Sequence, residues 1–191
     1  MSSFADDSVD WALAVAGDGE AFGRVFDRHR ARVLRHSVRL VAATDDAEDV
    51  VAIVFMEAWR KRHSLRFIDG SALPWLLTAA TNVSHNLARS SRRYERLLVR
   101  LPGAEPVADH ADGFGEDDAL SALRTLSLRD QQVVTLCIIE GLSEKETAST
   151  LKIPLGTVKS RLSRAKVRLA SQVHRANRFA LPLSKEVRHE H

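Results

Sequence analysis

The segment from Leu142 to Leu169, LSEKETASTLKIPLGTVKSRLSRAKVRL, leaves the chain few folding options. Ser143 and Glu146 stand in S-x-x-E spacing, the signature of a capping box, so a short helix is expected to start at Ser143. It turns Thr147, Ala148 and Leu151 inward and breaks around Lys152 to Pro154. Pro154 suits the first turn of a second helix, where a missing N–H costs no hydrogen bond. In that second helix Val158, Leu162, Ala165 and Leu169 recur at i, i+4, i+7 and i+11, one apolar stripe. The remaining faces carry Lys159, Ser160, Arg161, Ser163, Arg164, Lys166 and Arg168, and no acidic residue occurs from Leu155 to Arg178. Solvated surface helices usually mix charge signs to gain i,i+4 pairs. A helix with one buried stripe and a cationic remainder is instead shaped to enter a DNA major groove.

A length of 191 residues allows one or two small domains. Aromatic content of 6% beside 45% hydrophobic residues fits helical bundles built on Leu, Val and Ala. The formal net charge is only +3, but acid concentrates between Glu105 and Asp118 with base on either side. A polyanion responds to that local distribution rather than to the total. The single cysteine, Cys137, cannot form an intramolecular disulfide and lies in the apolar run VVTLCII, as a small hydrophobe would. The eight histidines have no cysteine partners at zinc-ligand spacing, so neither metal nor cofactor is expected. The N-terminus has no basic region followed by an apolar core, and no run approaches the length of a bilayer span. A cytoplasmic protein without membrane insertion is the expectation.

Periodicity is helical almost throughout, which predicts an all-α fold. A first helix or helix pair lies between Trp11 and Arg30, with Phe22, Val25, Phe26 and His29 on one face, and continues through Val33, Leu34, Val38 and Val41. A second helix spans about Asp45 to His63, acidic at its start and basic at its end, complementing the helix dipole. Val50, Val51, Val54, Phe55, Ala58 and Trp59 form its apolar face. A polar loop from Arg66 to Ala72 leads into a third helix near Leu73, where Pro74 falls at the start and Trp75, Leu76, Ala79, Ala80 and Val83 turn inward. That helix becomes basic at Arg89, Arg92, Arg93, Arg96 and Arg100. The stretch PGAEPVADHADGFGEDD then lacks the apolar content to offset its ordering entropy, so a flexible linker is expected there. Two small helical domains follow, at 8–101 and 119–175, with a linker at 102–118 and a tail, read as disordered, at 176–191.

Both halves together resemble the extracytoplasmic-function (ECF) sigma factors of bacterial RNA polymerase. The resemblance rests on LRTLSLRDQQVVTLCIIEGLSEKETASTL followed by IPLGTVKSRLSRAKVRL in the C-terminal half, and on DAEDVVAIVFMEAWR and PWLLTAATN in the N-terminal half. It implies a factor that binds core RNA polymerase, recognises −35 and −10 promoter elements, promotes melting, and is held in check by an anti-sigma factor. In the C-terminal domain it places Lys159, Ser160, Ser163 and Arg164 against −35 bases and phosphates, with Thr157 and Arg161 on phosphates. In the N-terminal domain Asp46, Glu48, Asp49, Ala52, Ile53 and Glu57 correspond to the surface that docks on the clamp helices of the polymerase largest subunit. The family usually has Gln-Glu or Ala-Glu where Ala52 and Ile53 stand. Arg66, Asp69, Gly70 and Ser71 correspond to the loop that captures an extruded −10 base, and Asn82 to an asparagine near that strand. Thr81 and Asn86 replace a common arginine and aspartate. Arg89, Arg92 and Arg93 would neutralise phosphates.

The alternative is a helix-turn-helix regulator that binds duplex DNA without polymerase, though such a protein would normally carry a ligand pocket or dimerisation helix in its N-terminal half. An enzyme has no support, because the chain lacks a glycine-rich phosphate loop, a metal-ligand cluster and a nucleophile with a base.

Overall fold

The structure, a computed structural model, describes residues 6–41, 43–65, 67–98 and 122–180, with side-chain placement for these except 91, 92, 94–98 and 172–180. The linker reading at 102–118 therefore lies outside the described residues, as do Arg66 and the part of the tail beyond 180. Among the described residues the regular structure is helical, apart from one isolated antiparallel bridge between Ile68 and Ser71.

The N-terminal half is a four-helix unit: α1 (Ser8–Val15), α2 (Gly19–Val38), α3 (Thr44–Arg60) and α4 (Leu73–Leu98). A two-residue device separates the first pair. Gly17, at φ +104, donates to the Ala14 carbonyl while the Asp18 N–H donates to Leu13, a Schellman closure that needs glycine's positive φ. The Asp18 carboxylate then accepts from Glu20 N (2.9 Å) and Ala21 N (3.0 Å), capping α2. The chain thus forms the helix pair rather than the single helix, and Gly17-Asp18 is where it breaks. Ala21, Val25, His29, Val33 and His36 lie along one buried face of α2. They meet Val50, Val51, Val54, Phe55 and Ala58 of α3 and Leu73, Leu76, Leu77 and Ala80 of α4 in one core, which also takes Trp11 of α1. Phe22 lies edge-on to Phe55, and Phe26 packs at 4.7 Å on the same ring.

Trp75 packs against this core, as its spacing predicts. Trp59 does so only in part. It is half-buried, with Phe22 edge-on at 5.1 Å and the Arg62 guanidinium 4.3 Å from its ring centroid.

The C-terminal half enters as a helical turn at 122–125, followed by α5 (Leu128–Val134), capped by Ser127. A π-helical turn, Thr135–Ile139, continues it to Gly141 at φ +71. Then come α6 (Glu144–Leu151) and α7 (Leu155–Ala180). The last helix extends five residues past the expected boundary at 175. Leu123, Leu126, Val134 and Ala165 form one small core, and Val133, Val158 and Leu162 another, the latter with Cys137, Leu151 and Ile153 against it. Cys137 is half-buried, its Sγ 3.2 Å from Thr147 Oγ1, and burial pushes its thiol pKa up, as an inert packing role requires.

The two halves touch. Leu40, at the end of α2, joins the Leu123–Leu126–Val134–Ala165 core. Arg124 donates to the carbonyls of Arg39 (3.1 Å) and Val38 (3.3 Å), satisfying the open C-terminus of α2. Arg32 pairs with the buried Glu140. Gln132 Nε2 donates to Asn82 Oδ1 at 2.9 Å, joining α5 to α4.

Candidate nucleic-acid interface

The helix-turn-helix forms as its local signals dictate. Ser143 Oγ accepts from Glu146 N (3.2 Å) while the Ser143 N–H donates to Glu146 Oε2 (2.6 Å), so both halves of the capping box are present. Hydrogen bonds from Ser143 hold the Glu146 carboxyl below the usual range. The helix stops at Lys152, a left-handed residue at φ 54, and Ile153 N returns to Ala148 O. Pro154 lies one residue before α7, its carbonyl accepting from Thr157 N and Val158 N, so it precedes the first turn rather than occupying it. Val158, Leu162 and Ala165 are buried and Leu169 half-buried, which seats α7 on α5 and α6.

That seating settles what α7 offers to solvent. Lys159, Ser160, Ser163 and Arg164 are exposed, while Thr157 and Arg161 are half-buried at the margin of the stripe. Ser160 Oγ donates to Thr157 O and Arg164 Nε to Ser160 O, bonds along the helix that hold both side chains close to its surface. Arg168 is drawn aside toward Asp130, 3.4 Å away.

In the N-terminal half, Ile68 and Ser71 exchange backbone hydrogen bonds across Asp69 (φ 49) and Gly70 (φ 75). Two consecutive positive φ values make a type I′ turn, the one that the dipeptide Asp-Gly favours. Asp69 is exposed at its tip. Gly70 needs its missing Cβ twice over, for the φ and because an added Cβ would stand 2.8 Å from Asp6 Oδ1. Ser71 departs from the sequence reading. It is fully buried, its hydroxyl donating to Asp7 Oδ2 (3.2 Å) and accepting from Leu73 N (3.2 Å), so it faces the protein and not a base.

Asp7 is the residue that sequence reasoning missed. It occupies the N-cap of α1 yet makes no cap bond. Its buried carboxylate accepts instead from Arg28 Nη1 (2.6 Å), His29 Nε2 (2.7 Å), Ser71 Oγ and Ala72 N (2.8 Å). Burial alone would raise its pKa, but the bonds from His29, Ala72 and Arg28 prevail and hold it below the usual carboxylate range.

Along α4, Asn82 is half-buried and its carboxamide oxygen is taken by Gln132, whereas Arg89 and Arg93 are exposed. The Arg92 side chain lies outside the described ones. Thr81 is fully buried, its hydroxyl donating to Leu77 O (2.8 Å) and meeting His36 Nε2 at 2.9 Å. Its place in the family pattern therefore bears on the core and not directly on DNA contact.

On α3, Glu48, Asp49, Ala52 and Ile53 are exposed; Asp46 and Glu57 are half-buried, the latter paired with Lys61. Asp49, Ile53 and Met56 share one face at i, i+4 and i+7, with Ile53 at 42% and Met56 at 73% exposure. Met56 was not singled out from sequence, although its position off the buried stripe was readable. Among the described residues no group of three or more His, Cys, Asp or Glu could hold a metal ion, and no helix is long and apolar enough to cross a membrane.

Comparison with known proteins matches both halves of the chain. Residues 25–94 match Sigma-70 region 2, and residues 116–169 match Sigma-70, region 4. The RNA polymerase sigma factor NccH of Alcaligenes xylosoxydans xylosoxydans is 31% identical over 185 residues, covering 87% of this chain and 95% of that one. The ECF RNA polymerase sigma factor SigM of Mycobacterium tuberculosis is 33% identical over 161 residues, 83% of this chain and 80% of that one. Among solved structures, the sigma factor RpoE from Bartonella quintana, in complex with the anti-sigma factor NepR, is similar at a TM-score of 0.58 and 28% identity, covering 80% of this chain and 96% of that one. CnrH, in complex with the cytosolic domain of CnrY, shares the fold at a TM-score of 0.62 and 24% identity, covering 88% and 97%. With both sigma-70 regions matched in this order and relatives above 30% identity matched over most of their length, the chain belongs to the ECF RNA polymerase sigma factors, which are transcription initiation factors and not enzymes.

Proposed function

We propose that α7 reads the −35 element, that the exposed face of α3 docks on the clamp helices of core polymerase, and that the turn at Asp69–Gly70 with the outer face of α4 takes the −10 strand. The observation that carries this reading is the division of labour on α7. One buried stripe fixes its orientation, and the opposite face presents Lys159, Ser160, Ser163 and Arg164 with no carboxylate on the helix to compete for cations. Arg89 and Arg93 extend a basic track along α4, suited to phosphates of the melted strand. Gln132 competes with DNA for the Asn82 oxygen, so the packed arrangement of the two halves is a resting state that opens on promoter binding. An anti-sigma factor would act by holding these surfaces away from polymerase. RpoE was solved in a complex of the kind such control requires, with the anti-sigma factor NepR. The site of action is the cytoplasm, where polymerase and promoter meet.

Runoff transcription on a promoter library, with core polymerase and with or without this protein, tests the reading. Promoter-specific transcripts that depend on it are expected. Duplex binding without transcripts would overturn it in favour of a regulator acting without polymerase.

A further inference from the structure

We propose that Asp7 is a positioning residue for −10 recognition, a buried clamp that holds the Asp69–Gly70 turn in the shape that admits a flipped base. This rests on the reading of that turn as the base-capturing element. The turn contributes only two backbone bonds of its own, those between Ile68 and Ser71. Residue 7 adds three more to its returning arm: Asp7 N donates to Gly70 O (2.8 Å), and Asp7 Oδ2 accepts from Ala72 N (2.8 Å) and Ser71 Oγ (3.2 Å). The same carboxylate is anchored on the other side by Arg28 Nη1 and His29 Nε2 of α2. One charged side chain thus fastens the turn to the rigid α2, and it caps no N–H of α1 while doing so.

Two features separate this from an ordinary buried ion pair. All four donors converge on a carboxylate with no solvent exposure, and charge-assisted bonds of this kind fix geometry as well as energy. Three of the six hydrogen bonds made by Asp7 end on residues 70–72 rather than on a helix. Capturing an unstacked base demands a preformed pocket, because an error of about an ångström in a supporting shell is enough to disable a site. Residue 7 also lies ahead of both matched sigma-70 regions, so the clamp reaches the promoter-reading loop from a segment outside them.

The test uses holoenzyme assembled from core polymerase and the full chain. The probe is a single-stranded oligonucleotide bearing the non-template −10 sequence of a promoter recovered from the runoff library, with 2-aminopurine at each position in turn. Asp69→Ala, at the exposed tip and outside the clamp, reports whether the turn touches the base at all. If Asp69→Ala shifts base preference, Asp7→Asn is expected to weaken oligonucleotide binding about tenfold and flatten preference at the same position, with core and −35 duplex affinities retained and Asp7→Glu recovering part of the loss. Should Asp7→Asn not fold, Ser71→Ala removes one donor and is expected to give a smaller loss at that position. A shift with Asp69→Ala but unchanged preference in a folded Asp7→Asn, or in Ser71→Ala where that stands in, overturns the clamp alone. No shift with Asp69→Ala overturns base capture by this turn, and the clamp with it.

Discussion

Acidification should destabilise this protein through His36, beginning at a pH above the ordinary carboxylate range. The ring is 1% exposed between α2 and α4. The Thr81 hydroxyl already donates to Leu77 O, so His36 Nε2 must be the donor to Thr81 Oγ1, which leaves Nδ1 as a buried lone pair with no partner. Protonating Nδ1 would place a charge in the core, and burial, with a smaller push from Arg39, lowers the pKa from 6.5 to about 4. The unfolded chain takes up this proton near pH 6.5 and the folded chain only near 4. The stability is therefore complete above 6.5 and lost as pH falls between the two values. By linkage the loss is about 2 kcal/mol at pH 5 and about 3 kcal/mol at pH 4. Asp7 has a depressed pKa and so loses its stabilisation in the same direction, but below the ordinary carboxylate range. Urea unfolding of the parent and of His36→Gln at pH 7, 6 and 5 isolates the histidine, because the variant lacks the titration. The stability difference should shift by about 2 kcal/mol between pH 7 and 5. Equal pH dependence in both proteins, or a His36 imidazole resonance that titrates near 6.5, would refute the assignment of His36 as a neutral Nε2–H core residue.

Arg164→Ala should cost about 1–3 kcal/mol of −35 duplex affinity, measured by fluorescence anisotropy, with the loss concentrated on the matched sequence. An equal loss on mismatched duplexes would make Arg164 a phosphate contact. Met56→Asp, at a 73% exposed position, should leave the melting temperature in place yet weaken core polymerase binding about tenfold or more, since docking would bury that side chain. Unchanged affinity would move the docking surface off this face of α3. Gln132→Ala should release Asn82 and raise the affinity of the free protein for single-stranded −10 DNA by roughly fivefold, the worth of one neutral hydrogen bond; no gain would mean that the contact does not compete with DNA. Leu76→Ala, fully buried in the N-terminal core, should lower unfolding free energy by about 2–5 kcal/mol in denaturant titration.

Much of this molecule was legible because the signals were local. The S-x-x-E box at Ser143, the i, i+4, i+7 stripe of α7 and the acidic start of α3 each act within one or two helical turns, where spacing alone dictates geometry. Two local signals went unread. Gly17-Asp18 spells a helix stop and a new cap, where periodicity alone leaves one helix or a pair open, and Asp69-Gly70 spells a type I′ turn within what reads as a plain polar loop. The burial of Ser71 and of Thr81 has another origin. Both carry hydroxyls in a segment that resembles a DNA-reading surface, and both prove to be buried, because Asp7 and His36 reach them from 64 and 45 residues away.

By itself, then, the sequence determined where helices form, which stripe of each is apolar and that α7 carries cations without acid, since helix periodicity and capping are short-range properties. The tertiary structure alone decided which polar side chains are spent holding the protein together and which remain to meet DNA or polymerase. Asp7 was drawn into the core as a clamp, Asn82 was occupied by Gln132 from the other half, and Met56 was left open to solvent. A polar side chain reveals its role only through its partners, and a buried one must find them wherever the fold brings a donor or acceptor within reach, however distant in the chain.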